Sequence, residues 1–480
     1  MAIPGQTLTI NDPGLGLVEA ANTKPLFAGC ASAGTVDTKY TFSNKNDVID
    51  TLGQGPLPEA ICHCLDVAGG PVDGMRLTGG TAASCGAVAA SASGTGTITV
   101  AAQVPNDAYE VIVEILTTGS IAGTLFEFRY SLDDGTTYSE AIIAPSGGTY
   151  LLPNTAVTMT FVDGAGPTWF VDGDTHSFDC VAPLYTTANL ATGVTALLAA
   201  TLDWAFLALV GEHASGADGA TMFGVLETHM STFANAFHYA RAIMSAGDDT
   251  TGNIITAMDA VDDNRVSVTY GTADTASGKP FAGWASPAMP LVNNMAARAA
   301  ASLPSTDLAR VASGSLTGVT AISHDEFRTE VLDSHRLTTA RAWQGRSGFY
   351  ITNGRLKSAA GSDFRYWQHG RIMDIASATA YQVQQLFVGI AVRVNSDGTI
   401  DELDARRLET RAENALRAAL TQPDNAEGTR GHVSELDYAI DRTNNVLTTE
   451  TILAEVSIRP LGYPKTITTQ LGFKANVTEA

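Results

Sequence analysis

Residues 338–380 read TTARAWQGRSGFYITNGRLKSAAGSDFRYWQHGRIMDIASATA. Arginine, tryptophan, tyrosine and glycine recur through the stretch, with no catalytic constellation beside them. Arg and aromatic side chains are enriched where proteins bury surface against one another, because a guanidinium is weakly hydrated and a ring covers much area. A charged helical segment and an extended tail follow. The whole therefore reads as a surface for contact between copies of the chain. Within it, residues 348–352 (GFYIT), with Gly354 and Leu356, read as a hairpin. Residues 375–394 read as a long helix passing into an apolar segment.

Composition bounds the rest. A chain of 480 residues accommodates two or three domains with real cores. Hydrophobic residues make up 45% and charged ones 16%, which excludes disorder. The formal net charge is −22, so phosphate backbones would repel the chain and no nucleic-acid partner is expected. Charge is uneven. Residues 73–182 carry twelve acidic residues, two arginines and no lysine, whereas residues 328–430 carry fourteen basic and twelve acidic residues. The first segment is expected to face solvent and the second to face partners. MAIPGQTLTIND has neither the basic start nor the apolar run of a signal peptide. The longest apolar stretch, residues 197–210, is interrupted by Thr201 and Asp203 and is too short to span a bilayer, so no membrane partner is expected. Synthesis in a cytoplasm is expected.

Organisation follows from periodicity. Residues 1–25 alternate apolar and polar side chains (Leu8, Ile10) before PGLGLVEA and read as an arm, since Pro and Gly argue against a central strand. Helices are expected over 44–52, capped by Ser43, and over 59–67. Short β-rich runs separated by Asp-Gly and Gly-Gly turns fill residues 73–182 and predict a β-sandwich inserted into a loop of another domain. Residues 204–210 (WAFLALV) read as a buried parallel strand. Helices over 219–237, 251–261 and 287–303, with strands over 240–244 and 266–270, extend an α/β layer. Residues 401–420 form an amphipathic helix with Leu403, Leu408, Ala412, Leu416 and Leu420 along one face and acidic residues in its first turn. ILAEVSIRPLGYPKTITTQLGFKANVT alternates apolar and polar residues and reads as paired strands or an arm.

No motif carries catalysis, and no cofactor is expected. Gly14-Leu15-Gly16 starts a dinucleotide fingerprint but lacks its third glycine, and no phosphate-binding GxxxxGK[ST] loop exists. Cys62-His63-Cys64 lacks the second ligand pair that zinc needs and reads as a buried helix face with an exposed histidine. Asp163, Asp172, Asp174 and Asp179 lack calcium-loop spacing and read as solvated turn residues. His324-Asp325-Glu326 and His335 have no nucleophile near them and read as polar surface or an intersubunit contact. Arg406, Arg407, Arg411 and Arg417 interleave with Glu402, Asp404, Glu409 and Glu413, either as a solvated face or as a charged seam for another protein. Cys30, Cys62, Cys64, Cys85 and Cys180 are odd in number and contain no CxxC pair. Free thiols are the plain reading. Cys85 and Cys180 bracket the acidic segment and would be placed to clasp its ends, and Cys30 to cross-link subunits.

Residues 340–346 with FYITNGRLKSAAGSDFRYWQHGRIMDIASATAYQV resemble the contractile tail sheath proteins of bacteriophages and related injection machines. Tyr350, Asn353-Gly354, Gly361-Ser362-Asp363-Phe364-Arg365 and Arg371-Ile372-Met373-Asp374 stand where a sheath pattern recurs. Val456-Ser457-Ile458-Arg459-Pro460-Leu461-Gly462 is similar to the sheath C-terminal strand. The resemblance implies an α/β multidomain protein: an α/β sheath core, an inserted β-sandwich and extended N- and C-terminal β-arms. The expected division is 1–25, an arm; 26–72 with 187–337, an α/β domain; 73–186, the outward-facing insert; 338–450, a C-terminal core domain; and 451–480, strands and arm. It further implies a structural, non-enzymatic subunit of a virion tail. That subunit would polymerise with itself in stacked, sixfold rings around an inner tail tube protein, bounded by baseplate and tail terminator proteins, and contract. Leu8, Ile10, Val456, Ile458, Ile467 and Leu471 would then donate strands to neighbours, and Arg406, Arg407, Arg411, Glu409 and Glu413 would face the tube. The competing expectation is a self-assembling surface-layer or binding module that does not contract.

Overall fold

The computed structural model describes residues 23–80, 83–100, 104–166, 168–275, 288–329, 331–421 and 431–469. The chain divides into two compact units, Met1–Ile390 and Ala391–Ala480.

Five short runs with burial at nearly every position build the centre of the first unit: Pro25–Gly29, Val72–Arg76, Phe206–Leu209, Arg241–Ser245 and Val266–Thr269. A strand buried without alternation has both faces covered, which is the situation of a parallel sheet. The order across the sheet is Val266–Thr269, Arg241–Ser245, Phe206–Leu209, Pro25–Gly29, Val72–Arg76 and Lys39–Phe42. The first five are parallel and the last closes the edge antiparallel. Successive side chains point to opposite faces. Phe27, Phe206 and Ile243 join the helices Pro56–Ala68 and Leu291–Ala300 on one side. Leu26, Leu207, Leu209, Ala242 and Met244 meet the helices Thr187–Ala199, Gly216–Asn235 and Thr251–Met258 on the other. Side-chain caps start most of these helices: Thr186 and Asn189 form a capping box, and Ser215 and Thr250 bond the third residue ahead.

Several expectations need correction. Pro25 belongs to the central strand rather than to an arm, because its ring sits at a strand start where no ladder donor is missed. Asn44, not Ser43, caps Lys45–Leu52, its Oδ1 accepting from the Asp47 N–H at 2.9 Å. Pro56 opens the next helix three residues early, as proline does at a first turn. Residues 348–352 pair backwards, Phe349–Ile351 against Ala340–Ala342, and not forwards with Leu356. The long helix is Trp367–Gln385, displaced toward the N-terminus from 375–394.

Between Val72–Arg76 and Thr187–Ala199 the chain forms two sheets of its own. One is ordered Thr149–Leu152, Val157–Val162, Thr97–Thr99; the other runs Ser84–Cys85, Thr175–Val181, Tyr109–Ile115, Glu127–Ser131, Ile142–Ile143, with Ala89–Ser91 also on Thr175–Val181. They enclose a separate apolar cluster in which Phe126 lies 4.4 Å from Phe170 and 5.4 Å from Phe161 between ring centroids. Cys85 and Cys180 are joined by a disulfide across the first two strands of the larger sheet.

Residues 338–390 pack with the first unit, so the expected 338–450 domain is divided at 390. Trp367 meets Phe206 edge-on at 5.4 Å, which ties this stretch into the central core.

Candidate assembly site

The second unit is small, and its parts follow from its sequence. Asp401 caps the helix Glu402–Leu420 by accepting from the Leu403 N–H at 3.1 Å. Glu402 and Asp404 stand in the first turn and Arg417 in the last, each favourable to the helix dipole. Ala405, Leu408, Ala412, Leu416 and Leu420 are buried. Leu403 is 66% exposed and does not belong to that face, since Ala405 and Leu408 define the stripe. The stripe packs on Val433–Ile440, whose Val433, Leu436, Tyr438 and Ile440 are buried.

Val433–Ile440 pairs antiparallel with Ala454–Pro460, Tyr438 opposite Val456 and Leu436 opposite Ile458. These two strands make a complete two-stranded sheet, so each has an open edge among the described residues. Ala454–Pro460 is unlike its partner: Val456 and Ile458 are only half-buried and its other residues are exposed. An edge strand of this length with free N–H and C=O groups is a template for another strand. Beyond it, Ile467 is 82% exposed.

The five helix residues expected at a tube divide by role. Glu409 is committed within the unit: its carboxylate takes Arg442 Nη2 at 2.7 Å and the Ile440 N–H at 2.7 Å. The Arg442 bonds hold the Glu409 carboxyl below its usual range, and reciprocally raise the Arg442 guanidinium. Glu413 pairs with Arg417 at 2.8 Å. Arg406 pairs with Glu402 one turn back at 2.5 Å and stays largely in solvent. Arg407 and Arg411 are exposed. The helix therefore presents an arginine face, while its glutamates chiefly hold the unit together.

Among the strand-donating residues, Val456 and Ile458 lie in a strand paired within the chain, and Leu8, Ile10 and Leu471 lie outside the described residues. Gly14 and Gly16 lie outside them too. Cys30, Cys62 and Cys64 are buried thiols; burial pushes Cys30 and Cys62 up to about 12 and raises Cys64 as well. Burial removes Cys30 from the reach of a neighbouring subunit. His63 is buried with its helix rather than exposed, because Pro56–Ala68 is covered on all sides over its first two turns. Asp163 accepts from Ile121 and Ala122 N–H groups at 2.8 and 2.9 Å, and Asp174 is buried and accepts from Ser93, Gly94 and Val171. Both lock turns instead of facing solvent. His324 bonds Glu326 at 2.7 Å, and His335 bonds Asp259 at 2.7 Å. Among the described residues, no group of three or more potential ligands is placed to hold a metal, and no helix is long and apolar enough to cross a membrane.

Sequence reasoning read residues 338–380 as an outward surface, and the structure turns many of them inward. Tyr350, Ile351, Leu356, Lys357, Trp367, Gln368, Arg371 and Asp374 are buried. Residues 343–347, at the hairpin tip, remain exposed. No alternation marks them: FYI and RLK bury adjacent side chains, Tyr350 with Ile351 and Leu356 with Lys357.

The chain resembles the anti-feeding prophage (AFP) helical sheath in its contracted state, with TM-score 0.52 and 11% identity over 98% of this chain and 99% of that one. It resembles the PVC sheath complex of an extracellular contractile injection system in its contracted state, with TM-score 0.52 and 10% identity over 98% of each chain. A chain of the contracted AFP baseplate gives TM-score 0.53 and 12% identity over 98% of each. No curated protein sequence matches significantly. The family described as "DUF2586, N-terminal domain" matches residues 4–355. That match spans well over half of the sequence, so the chain belongs to the DUF2586 family, and it carries the fold of contractile injection-system sheaths.

Proposed function

We propose that this chain is the structural subunit of a contractile, phage-type tail sheath. It polymerises with itself in stacked, sixfold rings around an inner tube protein, ends on baseplate and terminator proteins, and contracts to drive the tube through a cell envelope in virion-like particles. The observation that carries the proposal is the open, exposed strand Ala454–Pro460 at the end of a chain whose fold matches contracted sheaths over nearly its full length. Strand addition at such an edge joins copies through main-chain hydrogen bonds and leaves the bodies free to rotate.

In this reading the residues around Leu8 and Ile10, and those around Ile467 and Leu471, are donated strands, and Val456 and Ile458 flank the receiving edge. The β-rich acidic insert that follows Val72–Arg76 lies toward the outside of the sheath. The Arg406–Arg407–Arg411 face meets the tube, where rim charge sets register. No reaction is needed: the contracted lattice is the lower in free energy because it buries more surface between copies.

Electron microscopy of the purified full-length protein, alone and with its tube protein, tests the proposal. Rings, tubes or polysheaths are the expected result. A single molecule that stays monomeric at high concentration in both conditions overturns it.

A further inference from the structure

Arg341, in the strand Ala340–Ala342, holds its guanidinium 4.0 Å from the Trp343 ring centroid and 5.4 Å from the Phe327 ring. The two rings are 38% and 50% exposed. The guanidinium has five N–H donors, and its one hydrogen bond among the described residues is a long one, Nε to the Ala342 carbonyl at 3.4 Å. The Asp325 carboxylate, which reaches the same strand, is already committed to the Phe327 and Ala342 N–H groups and to Arg328. Arg341 is thus a flat cation stacked on aromatic rings with its donors unspent. Such Arg–aromatic platforms are what the energetic centres of protein interfaces are made of.

A complementary surface lies elsewhere on the chain. Glu110 and Asp179 stand directly opposite each other on neighbouring strands, both on the solvent side of the sandwich. Asp134 joins them, its N–H donating to the Glu110 carbonyl at 3.1 Å. Like charges directly opposite one another destabilise a sheet. Burial, with repulsion from Asp134, Asp179 and Asp274, raises Glu110 above the usual carboxylate range. Both arginines of the region are engaged elsewhere: Arg129 pairs with Glu114 at 2.7 Å, and Arg76 donates to the Gly34 carbonyl. No described ion pair links this cluster to Arg341 within the chain.

We propose that the Arg341–Trp343–Phe327 platform of one copy docks on the Glu110–Asp179 carboxylates of the next copy. The two surfaces differ, so the contact is heterologous, and heterologous contacts repeat into rings or helices instead of closing a dimer. This rests on the sheath reading and names a body-to-body contact within it, separate from strand exchange. A carboxylate pair receives a planar guanidinium in bidentate fashion, and the rings exclude water from the contact.

The test uses the full chain in three forms: wild type, Arg341→Glu, and Glu110→Lys with Asp179→Lys. Assembly is followed by electron microscopy and sedimentation, and folding by circular dichroism. Each charge variant is expected to stay folded and to raise the concentration needed for assembly at least about tenfold, a coupling within the range measured for close interfacial charge pairs. Mixed in equal amounts, the two variants are expected to assemble together, since each then meets a complementary neighbour. Trp343→Ala, at an exposed position, is expected to weaken assembly without a charge change. Unchanged assembly of either charge variant, or failure of the mixture to assemble, overturns the contact while leaving the sheath reading intact. Wild-type protein that never assembles overturns the sheath reading, and this contact with it.

Discussion

At the scale of single residues, the most demanding site is the charge cluster around Asp374. Its carboxylate meets Arg241 Nε at 3.0 Å and Arg371 Nη1 at 3.2 Å, with Arg265 at 3.7 Å, and all but Arg265 are nearly inaccessible to water. Arg371 also donates to the Ala205 carbonyl at 2.6 Å, which joins the helix Trp367–Gln385 to the strand of the central sheet next in sequence. Breaking one member of a buried ion network leaves its partners charged and unpaired. Asp374→Asn is expected to lower unfolding free energy by about 3–5 kcal/mol, measured by denaturant titration. Glu212 gives a pH prediction. Burial, and then repulsion from Asp248, push its carboxyl up to about 7 from 4.5. Between those values the folded protein holds a proton that the unfolded chain has released. Glu212 therefore favours folding below about 4.5, and that contribution is lost as pH rises through about 7. Glu212→Gln stays neutral, so its melting temperature relative to wild type is expected to climb across this window; a constant offset would contradict the assignment. The sequence made Arg371 and Asp374 visible as members of a sheath-like motif. It did not reveal that Arg241, more than a hundred residues earlier, completes the cluster, because only the sheet brings them together.

At the scale of elements, legibility followed burial pattern. WAFLALV announced its strand because apolar character without alternation fits a covered parallel sheet. Pro25–Gly29 did not, although it lies centrally: proline, glycine and brevity hid it, and only its pairing on both sides explains it. The helix Glu402–Leu420 was legible in its stripe, its cap and its charges. Its glutamates were harder, since the bonds from Glu409 to Arg442 and Ile440 join residues far apart in sequence. This separation of roles sets an expectation for the helix. Reversing Arg406, Arg407 and Arg411 to Glu is expected to leave the unit folded, because each side chain is exposed and surface pairs contribute only about 0.2–1 kcal/mol. The same change is expected to suppress tube-templated assembly, measured by co-sedimentation with tube protein. Assembly at wild-type level would remove the arginine face from the tube contact.

At the scale of the whole molecule, the fold class was legible because the α/β runs, the β-rich acidic segment and the charged C-terminal helix differ sharply in composition. The inward packing of residues 338–380 was not, because a composition reading cannot sort buried from exposed side chains. Removal of residues 1–20, or of 461–480, is expected to leave both units folded and to abolish ordered lattices, as seen by circular dichroism and electron microscopy side by side. Lattices of normal length from either truncation would exclude the corresponding arm.

A parallel sheet sealed on both faces by helices has a mechanical corollary. Sliding one strand past another would open apolar side chains on two sides at once, so the first unit resists deformation like a fired brick. Any wall laid from such bricks takes its compliance from the mortar: open strand edges, stacked cations and trailing ends. Changes that soften the brick should show in its melting curve, and changes to the mortar in whether the wall rises and how it gives.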